Sequence, residues 1–191
     1  MDGNREWEAA VDVFSTTLGW IALMWTQAGL SRLTFGHHSA EAARVTLQES
    51  LARESSRPRT QRASLLRASS IDRLGARRTL ELYAAGNGPL DVSVPLDLDD
   101  CTEFQRRVLQ QCRRIPYGRT LGYRELAECA GSPRAARAVG GVMARNPIPL
   151  FVPCHRVLAA GGLLGGFSAP QGLDMKRRLL ALEAAHLARG F

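Results

Sequence analysis

A cysteine and a histidine stand side by side in the segment FVPCHRV, residues 151–157. The nucleophilic form of cysteine is the thiolate, and a nearby imidazole or positive charge lowers the pKa of the thiol. Cys154, followed by His155 and Arg156, therefore has the neighbours expected of a reactive cysteine. The alternative is a small core cysteine beside a surface histidine, which is the better interpretation of a Cys-His pair taken alone. The surrounding sequence has to distinguish the two.

Positive charge is concentrated in the carboxyl half of the chain. Residues 101–191 contain 14 Lys and Arg against 5 Asp and Glu, a net charge of +9, whereas residues 1–100 contain 11 against 13, a net charge of −2. A basic region of this kind is typical of proteins that bind a polyanion such as nucleic acid. Codon bias explains why every basic residue except Lys176 is arginine, but it does not explain the asymmetry between the halves.

Composition argues against several classes of protein. A chain of 191 residues with 45% hydrophobic residues is long enough to form one large or two small globular domains. Its longest apolar run, residues 18–25, is far shorter than a membrane span, and the first ten residues do not resemble a signal peptide, so we expect a cytoplasmic protein. The four cysteines form no CxxC pair, so neither a disulfide framework nor a metal site is predicted. We assign His37 and His38 to a solvated loop.

The amino half alternates between strand and helix patterns. In chain order the predictions are strand–turn–strand over 11–35, helices over 40–51 and 70–85, an Arg- and Ser-rich loop over 53–70, and a strand over 90–98. Pro95 marks the last of these as an edge strand or a linker. We place the domain boundary close to Pro95–Asp100, which divides the chain into residues 1–97 and 98–191.

The carboxyl half is predicted to be mainly helical. Residues with helical spacing on one face are Phe104, Val108 and Cys112. They predict a helix over 102–114, capped by Asp99 or Asp100.

Two shorter helices follow in the same basic region. The first is predicted over 122–130 and ends at Gly131, and the second begins at Ser132-Pro133, a strong start signal, and runs to Arg145. Two short helices joined by a glycine-containing turn match a helix-turn-helix, although helical hairpins are also common in ordinary cores.

The second of these helices is unusually thin. One face is assigned the small residues Ala135, Ala136, Ala138, Val139, Gly140 and Gly141. Each glycine inside a helix costs about 1 kcal/mol relative to alanine, so the thinness needs a reason. Tight packing on another helix is one reason, and close approach to the minor groove of DNA is the other. Arg137 is the one long side chain here, and it could fill the space left by an extruded base.

These segments together resemble the methylated-DNA–protein-cysteine methyltransferases, which repair O6-alkylguanine. The resemblance covers residues 101–185 through the ordered motifs LGYRELA, ARAVGG, RNP, PCHRV, GGFS and LLALE. The amino half resembles the first domain of that family only loosely, through residues 20–36 and 80–86. The resemblance implies an α/β fold: a small sheet-and-helix N-terminal domain, expected to be ribonuclease H-like, followed by a mainly helical, winged-helix-like C-terminal domain with the helix-turn-helix.

The resemblance also implies catalytic roles. Cys154 would accept the alkyl group, His155 would act as its base through a water, and Glu183 would orient His155 in the manner of a catalytic triad. Asn146 would hold the turn that brings the helix-turn-helix against the cysteine. Tyr123 would donate toward the flipped guanine and press on the target phosphate.

DNA and substrate contacts are implied in the same way. Arg137 would replace the flipped nucleotide, and the other residues expected to contact DNA are Ala135, Ala136, Ala138, Gly140, Gly141 and Tyr123. The carbonyls of Cys154 and Val157 would read the guanine edge, and Ser168 would contact its O6 side. Phe167 stands where the family usually has tyrosine, and the loop 168–173 is about two residues longer than the family pattern. Both departures affect the expected alkyl pocket.

The expected function is DNA repair by direct reversal, in which the alkyl group of O6-alkylguanine in duplex DNA passes irreversibly and stoichiometrically to Cys154. The expected partner is double-stranded DNA, bound through its minor groove by a monomer that uses no cofactor, metal or membrane. One alternative is a non-enzymatic DNA-binding module, in which Cys154 would never become alkylated. Another is a cysteine hydrolase using Cys154 and His155, which would turn over.

Overall fold

The computed structural model describes residues 11–26, 28–54 and 70–190. The strands β1 to β5 are Val11–Thr16, Gly19–Trp25, Leu30–His37, Leu121–Gly122 and Val157–Leu158, and the helices α1 to α6 are Ala40–Glu54, Ser70–Ala84, Glu103–Arg113, Tyr123–Cys129, Ala136–Ala144 and Leu173–Ala188. Short 3₁₀ helices span Cys154–Arg156 and Ala160–Gly162. The chain forms two compact units: the described part of residues 1–85 with Asp91–Asp97, and Gly86–Leu90 with the described residues from Leu98 onward.

The amino unit contains an antiparallel sheet in the order β1-β2-β3. One cluster of its core joins β2 to α1 through Ala22, Met24, Ala43 and Leu47. The turn before β3 needs glycine, because Gly29 has a φ of +143° and an added Cβ would lie 2.5 Å from the carbonyl oxygen of Pro95. The segment over 11–35, which was predicted as strand–turn–strand, therefore contains three strands, β1 to β3, in place of two.

The strand predicted over 90–98 is wrong except at one point, an isolated bridge between Leu96 and Leu30. Asp91 starts a turn in which its Oδ1 accepts the N–H of Ser93 at 2.8 Å. Pro95 has no N–H to donate, and it contributes only its carbonyl, which accepts the N–H of Leu30 at 2.9 Å. Local turn chemistry therefore overrides the alternating pattern.

The assignment of His37 to a solvated loop is also wrong. His37 ends β3 and is buried, and its Nε2 lies 2.6 Å from Oγ1 of Thr34, whereas His38 is exposed. Burial and the neighbouring His38 lower the pKa of His37. Within the described ranges no three His, Cys, Asp or Glu side chains lie close enough together to hold a metal ion. Of the loop predicted over 53–70, residues 55–69 lie outside the described residues.

Helix α3 begins the helical part of the carboxyl unit, and its cap is Thr102 rather than Asp99 or Asp100. The backbone N–H of Gln105 donates to Oγ1 of Thr102 at 3.3 Å, and Oε1 of Gln105 accepts the N–H of Thr102 at 2.8 Å. This reciprocal pair is a capping box. The two aspartates lie too far upstream to reach the backbone N–H groups of the first turn.

Helices α4 and α5 form the predicted helix-turn-helix, but Ser132-Pro133 does not start α5. The N–H of Ser132 donates to the carbonyl of Ala127 at 2.8 Å, and Gly131 has a φ of +71°, so Ser132 completes the end of α4. A turn closed by the N–H of Ala135 to the carbonyl of Ser132 follows, and α5 begins only at Ala136.

A short parallel pairing of β4 with β5 sets Leu121 opposite Val157 and Gly122 opposite Leu158. It brings the start of α4 beside the segment that carries Cys154. None of the helices in the described ranges combines the length and apolar character that a membrane span requires. The predicted α/β class is confirmed, with a small amino-terminal sheet and a helical carboxyl region.

Candidate active site

Cys154 lies at the first position of a 3₁₀ helix and is only 5% exposed. Its N–H donates to the carbonyl of Val152 at 2.8 Å, which closes a tight turn just before the thiol. Burial raises the pKa of Cys154, and the side chain of Asn146 and the positive charge of Lys176 oppose that rise. Because the pKa of the thiol is raised, the resting thiol is protonated at neutral pH, and a nucleophilic thiolate requires a nearby proton acceptor.

His155 is fully buried and contacts the carboxylate of Glu183, with 2.8 Å between Nε2 and Oε1. A carboxylate only accepts, so Nε2 carries the proton and Nδ1 of the neutral ring carries a lone pair. Burial lowers the pKa of His155, although Glu183 raises it in part. The ring is therefore neutral near pH 7 and can accept a proton.

The Glu183 carboxylate also binds Arg156 and the backbone of Gly118. Nε and Nη2 of Arg156 donate to the two carboxylate oxygens at 3.0 and 2.9 Å, and the N–H of Gly118 donates to Oε2 at 2.8 Å. Burial would raise the pKa of Glu183, but the hydrogen bonds from His155 and Arg156 outweigh it and bring the pKa to about 2. Nη1 of Arg156 donates to the carbonyl of Ile115 at 2.7 Å, so the guanidinium is held at both ends.

The loop between β5 and α6 is anchored by Lys176, a fully buried residue of α6. Its Nζ donates to the carbonyl of Val157 at 2.7 Å and to the carbonyl of Leu164. Burial lowers the pKa of Lys176, whereas Cys154 raises it. Lys176 therefore holds the loop in place and also brings a positive charge near the thiol of Cys154.

The segment that joins α5 to Cys154 is held by Asn146. Its Nδ2 donates to the carbonyl of Val152 at 2.7 Å, and its Oδ1 accepts the N–H of Ile148 at 3.1 Å. Between these contacts the buried Leu150 has a φ of +73°, a conformation that is uncommon for a residue with a bulky side chain. The side-chain bonds of Asn146 stabilise this turn, and they fix the cysteine segment relative to α5.

Tyr123 begins α4 and is half-buried. Burial raises the pKa of Tyr123, with further contributions from Cys154 and Cys112, so its hydroxyl stays protonated and can donate. An added Cβ at Gly165 would lie 3.4 Å from that hydroxyl. The phenol therefore faces the loop after β5.

The small residues of α5 do not all share one face. Val139 is buried with Val142 and Met143, whereas Arg137 and Ala138 are exposed. The partly exposed members of the set are Ala135, Ala136, Gly140 and Gly141. The interpretation that placed all six small residues on one face is wrong at Val139, because helical geometry turns Val139 toward the core and leaves the alanines and glycines at least partly exposed.

The family model for the DNA-binding domain of 6-O-methylguanine DNA methyltransferase matches residues 103–185. The chain is 46% identical over 111 residues to the methylated-DNA–protein-cysteine methyltransferase of Methanosarcina acetivorans, covering 58% of this chain and 68% of that protein. It is 47% identical over 119 residues to the corresponding protein of Mycolicibacterium paratuberculosis, covering 62% and 66%. The chain belongs to the methylated-DNA–protein-cysteine methyltransferase family.

Solved structures of this methyltransferase family match nearly the whole chain. The Mycobacterium tuberculosis O6-methylguanine methyltransferase is 33% identical, with a TM-score of 0.67 over 92% of this chain and 93% of that one. The structure of Mycobacterium tuberculosis OGT in complex with DNA gives 33% identity and a TM-score of 0.65 over 91% and 92%. The predicted family membership is thereby confirmed, although the sequence alignments span only about two thirds of the curated methyltransferases.

The methyltransferase site thus brings together several residues proposed from the sequence. His155 and Glu183 are in direct contact, Asn146 is bonded to the cysteine segment, and Tyr123 begins the neighbouring helix. The carbonyl of Val157 already accepts from Lys176, and its second lone pair is the one that could serve a guanine. In the loop that follows, Phe167 is partly buried and Ser168 is exposed, and both stay predictions as substrate contacts.

Three functional contacts escaped the sequence argument. Arg156 was noted only as a positive charge close to the cysteine in sequence, and it pairs with Glu183. Lys176 stood out in the sequence only as the single lysine among arginines. That exception was the one sign that this position needs an amine and not a guanidinium. The bond from the Gly118 N–H to Glu183 had no signal in the residue types, because a backbone donor is set by the fold alone.

Proposed function

We propose that this chain removes the alkyl group of O6-alkylguanine in duplex DNA by transferring it once, and irreversibly, to Sγ of Cys154. Family membership supplies the class of reaction, which is DNA repair by alkyl transfer to a protein cysteine. The assignment to Cys154 rests on one observation: the next residue, His155, is buried and hydrogen-bonded to Glu183. Of the other cysteines, Cys112 is buried in α3 and the remaining two lie at least partly in solvent.

Proton transfer starts the proposed reaction. The neutral His155 ring accepts the thiol proton, through a water, because its Nε2 is committed to Glu183 and its Nδ1 carries the lone pair. The ionised carboxylate of Glu183 then stabilises the imidazolium. The ammonium of Lys176 favours the thiolate, as its effect on the pKa of Cys154 indicates.

Bond exchange follows as an SN2 displacement at the alkyl carbon. The S–C bond forms while the C–O6 bond breaks, and guanine keeps the electron pair of the broken bond. The proton taken up by His155 balances that charge. A hydrogen bond from the protonated hydroxyl of Tyr123 would stabilise the departing base. A thioether is stable, so one chain repairs one base.

In the proposed complex, one monomer binds one duplex by placing α5 against the minor groove. The damaged guanine is turned out of the base stack. The exposed Ala138 and the partly exposed glycines of α5 let the helix backbone approach the groove, and Arg137 extends from the same exposed surface. Extrusion of a base costs a few kcal/mol, part of which a side chain inserted into the gap offsets.

The proposed function predicts one added alkyl group per chain. Protein incubated in EDTA with excess duplex containing O6-methylguanine should gain the mass of one methyl group, and peptide mapping should place it on Cys154. Product beyond one equivalent would favour the hydrolase instead. Retained DNA binding with no added mass would favour the non-enzymatic binding module, and loss of transfer in EDTA would show that a metal is required.

Arg137→Ala should slow repair of duplex substrate by roughly 10-fold or more, because an empty gap leaves the extrusion cost of a few kcal/mol uncompensated. Reaction of Cys154 with free O6-benzylguanine needs no extrusion, so its rate should change little. Single-turnover kinetics with both substrates measure the contrast. A matched control is Arg77→Ala, which removes the same charge from the amino unit, where Arg77 is paired with Glu81. Equal losses with both substrates would make Arg137 a fold or active-site residue.

A further inference from the structure

Two exposed arginines and a glycine lie along one row of α5. Arg137, Gly141 and Arg145 are spaced at i, i+4 and i+8, so they follow one another along the same side of the helix. Arg145 is the residue that closes the helix, where its N–H donates to the carbonyls of Met143 and Val142. The row thus has a cation at each end and no side chain between them.

The side chain of Arg145 folds back over that gap. An added Cβ on Gly141 would lie 3.3 Å from Nη2 of Arg145 and 4.0 Å from its Cζ, so the guanidinium rests on the Gly141 backbone. Helical side chains lean toward the amino end of their helix, which is the direction of Arg137. The guanidinium of Arg145 therefore occupies space that is open because residue 141 is glycine, and we call this position its seat on Gly141.

Among the described residues, none pairs with the Arg145 side chain in a way that would explain this position. In the described part of the chain no carboxylate forms an ion pair with Arg145, and the side chain is exposed. Arg156 differs, since it is buried and bound to Glu183. Arg145 also precedes Asn146, whose bonds fix the cysteine segment, so the Arg145 backbone is held relative to Cys154.

We propose that Arg145, seated on Gly141, binds a backbone phosphate of the DNA and sets the position of α5 on the duplex. This inference rests on the proposed function, because it uses the same face of α5. A guanidinium presents a planar fork of donors that suits a phosphate. The contact is independent of base sequence and of damage, which separates its role from that of Arg137.

Salt dependence of binding tests the proposal. Affinity for two undamaged duplexes of unrelated sequence is measured between about 50 and 200 mM salt for the wild-type chain and for Arg145→Ala. Loss of one phosphate contact should weaken binding equally for both duplexes and reduce the slope of log K against log salt by about 1. Arg145→Lys should recover the slope, because the ammonium also neutralises a phosphate. A structural role would instead lower the melting temperature and leave the slope unchanged.

Two controls sharpen the result. Arg77→Ala removes one positive charge elsewhere and should leave the slope as in wild type. Gly141→Ala shifts the guanidinium without changing the net charge. It should weaken DNA binding more in the wild-type background than in the Arg145→Ala background, where only the thicker surface of α5 remains. Equal losses in the two backgrounds would overturn the seat on Gly141.

The same wild-type sample separates this inference from the proposed function. Alkylation of Cys154 with an unchanged slope in Arg145→Ala would overturn the phosphate contact and leave the repair function standing. A reduced slope in Arg145→Ala without alkylation of wild-type Cys154 would support the phosphate contact and overturn the repair function.

Discussion

Replacement of Cys154 with serine should abolish alkyl transfer while duplex binding stays within about twofold of wild type, because DNA affinity comes from phosphate contacts and not from the thiol. A serine hydroxyl is far less acidic than a thiol and a much weaker nucleophile at neutral pH. The His155–Glu183 pair would remain in place but would have no thiol to deprotonate. Intact mass after incubation with O6-methylguanine duplex, together with an equilibrium binding titration, measures both effects.

Cys129→Ser is the matched control, because Cys129 is exposed at the end of α4 and takes no part in the buried network. It should accept one methyl group on Cys154 at the wild-type rate. The other cysteines, Cys101 and Cys112, should likewise be unnecessary for the chemistry. Methyl transfer that persists in Cys154→Ser would assign the acceptor to a different residue and refute the proposed site.

Glu183→Gln should lower the free energy of unfolding by about 3–5 kcal/mol at neutral pH, because it leaves the buried guanidinium of Arg156 without its counter-charge. The amide has only one accepting oxygen, so Arg156 loses one bond and either Gly118 or His155 loses another, depending on which way the amide is turned. Urea unfolding measures the effect, and Glu128→Gln on the exposed face of α4 serves as the control. A loss below about 1 kcal/mol would place Glu183 among ordinary surface ion pairs.

Acid should weaken the wild-type fold through the same group. The pKa of Glu183 falls from 4.5 to about 2 on folding, so its contribution is complete above pH 4.5 and is lost as the pH falls toward 2. The pKa of His155 is also lowered by folding, so protonation of the unfolded chain costs further stability below pH 6.5. Glu183→Gln should show a flatter dependence between pH 4.5 and 2. An unchanged slope there would contradict the low pKa of Glu183.

Sequence patterns predicted the elements whose signals are local. Helical periodicity located α3 through Val108 and Cys112, and Gly131 marked the end of α4 because its left-handed φ suits glycine. The errors came where two local signals competed. Ser132-Pro133 has the composition of a helix start, but the N–H of Ser132 is used to complete the preceding helix. Thr102 outcompeted the aspartates because Gln105 lies at the reciprocal position of a capping box.

The candidate site was predictable in its residue types and less so in its electrostatics. The family motifs pointed to Cys154, His155 and Glu183, and the structure brings the last two into contact. Arg156 lies close to the cysteine in sequence, but a 3₁₀ helix turns successive side chains in different directions, and Arg156 pairs with Glu183. Burial is a property of the assembled fold, so the raised pKa of Cys154 could not be inferred from its neighbours in sequence.

The room beside Gly140 creates a trade-off between heat resistance and repair. An added Cβ there would meet only Cε1 of Tyr123, at 4.0 Å, so the fold accommodates alanine without a clash. Alanine would stabilise α5 by about 1 kcal/mol, and it would thicken the surface proposed to approach the groove. A laboratory selection for thermal tolerance alone would therefore favour Gly140→Ala. The selected proteins would have a higher melting temperature and would repair DNA more slowly.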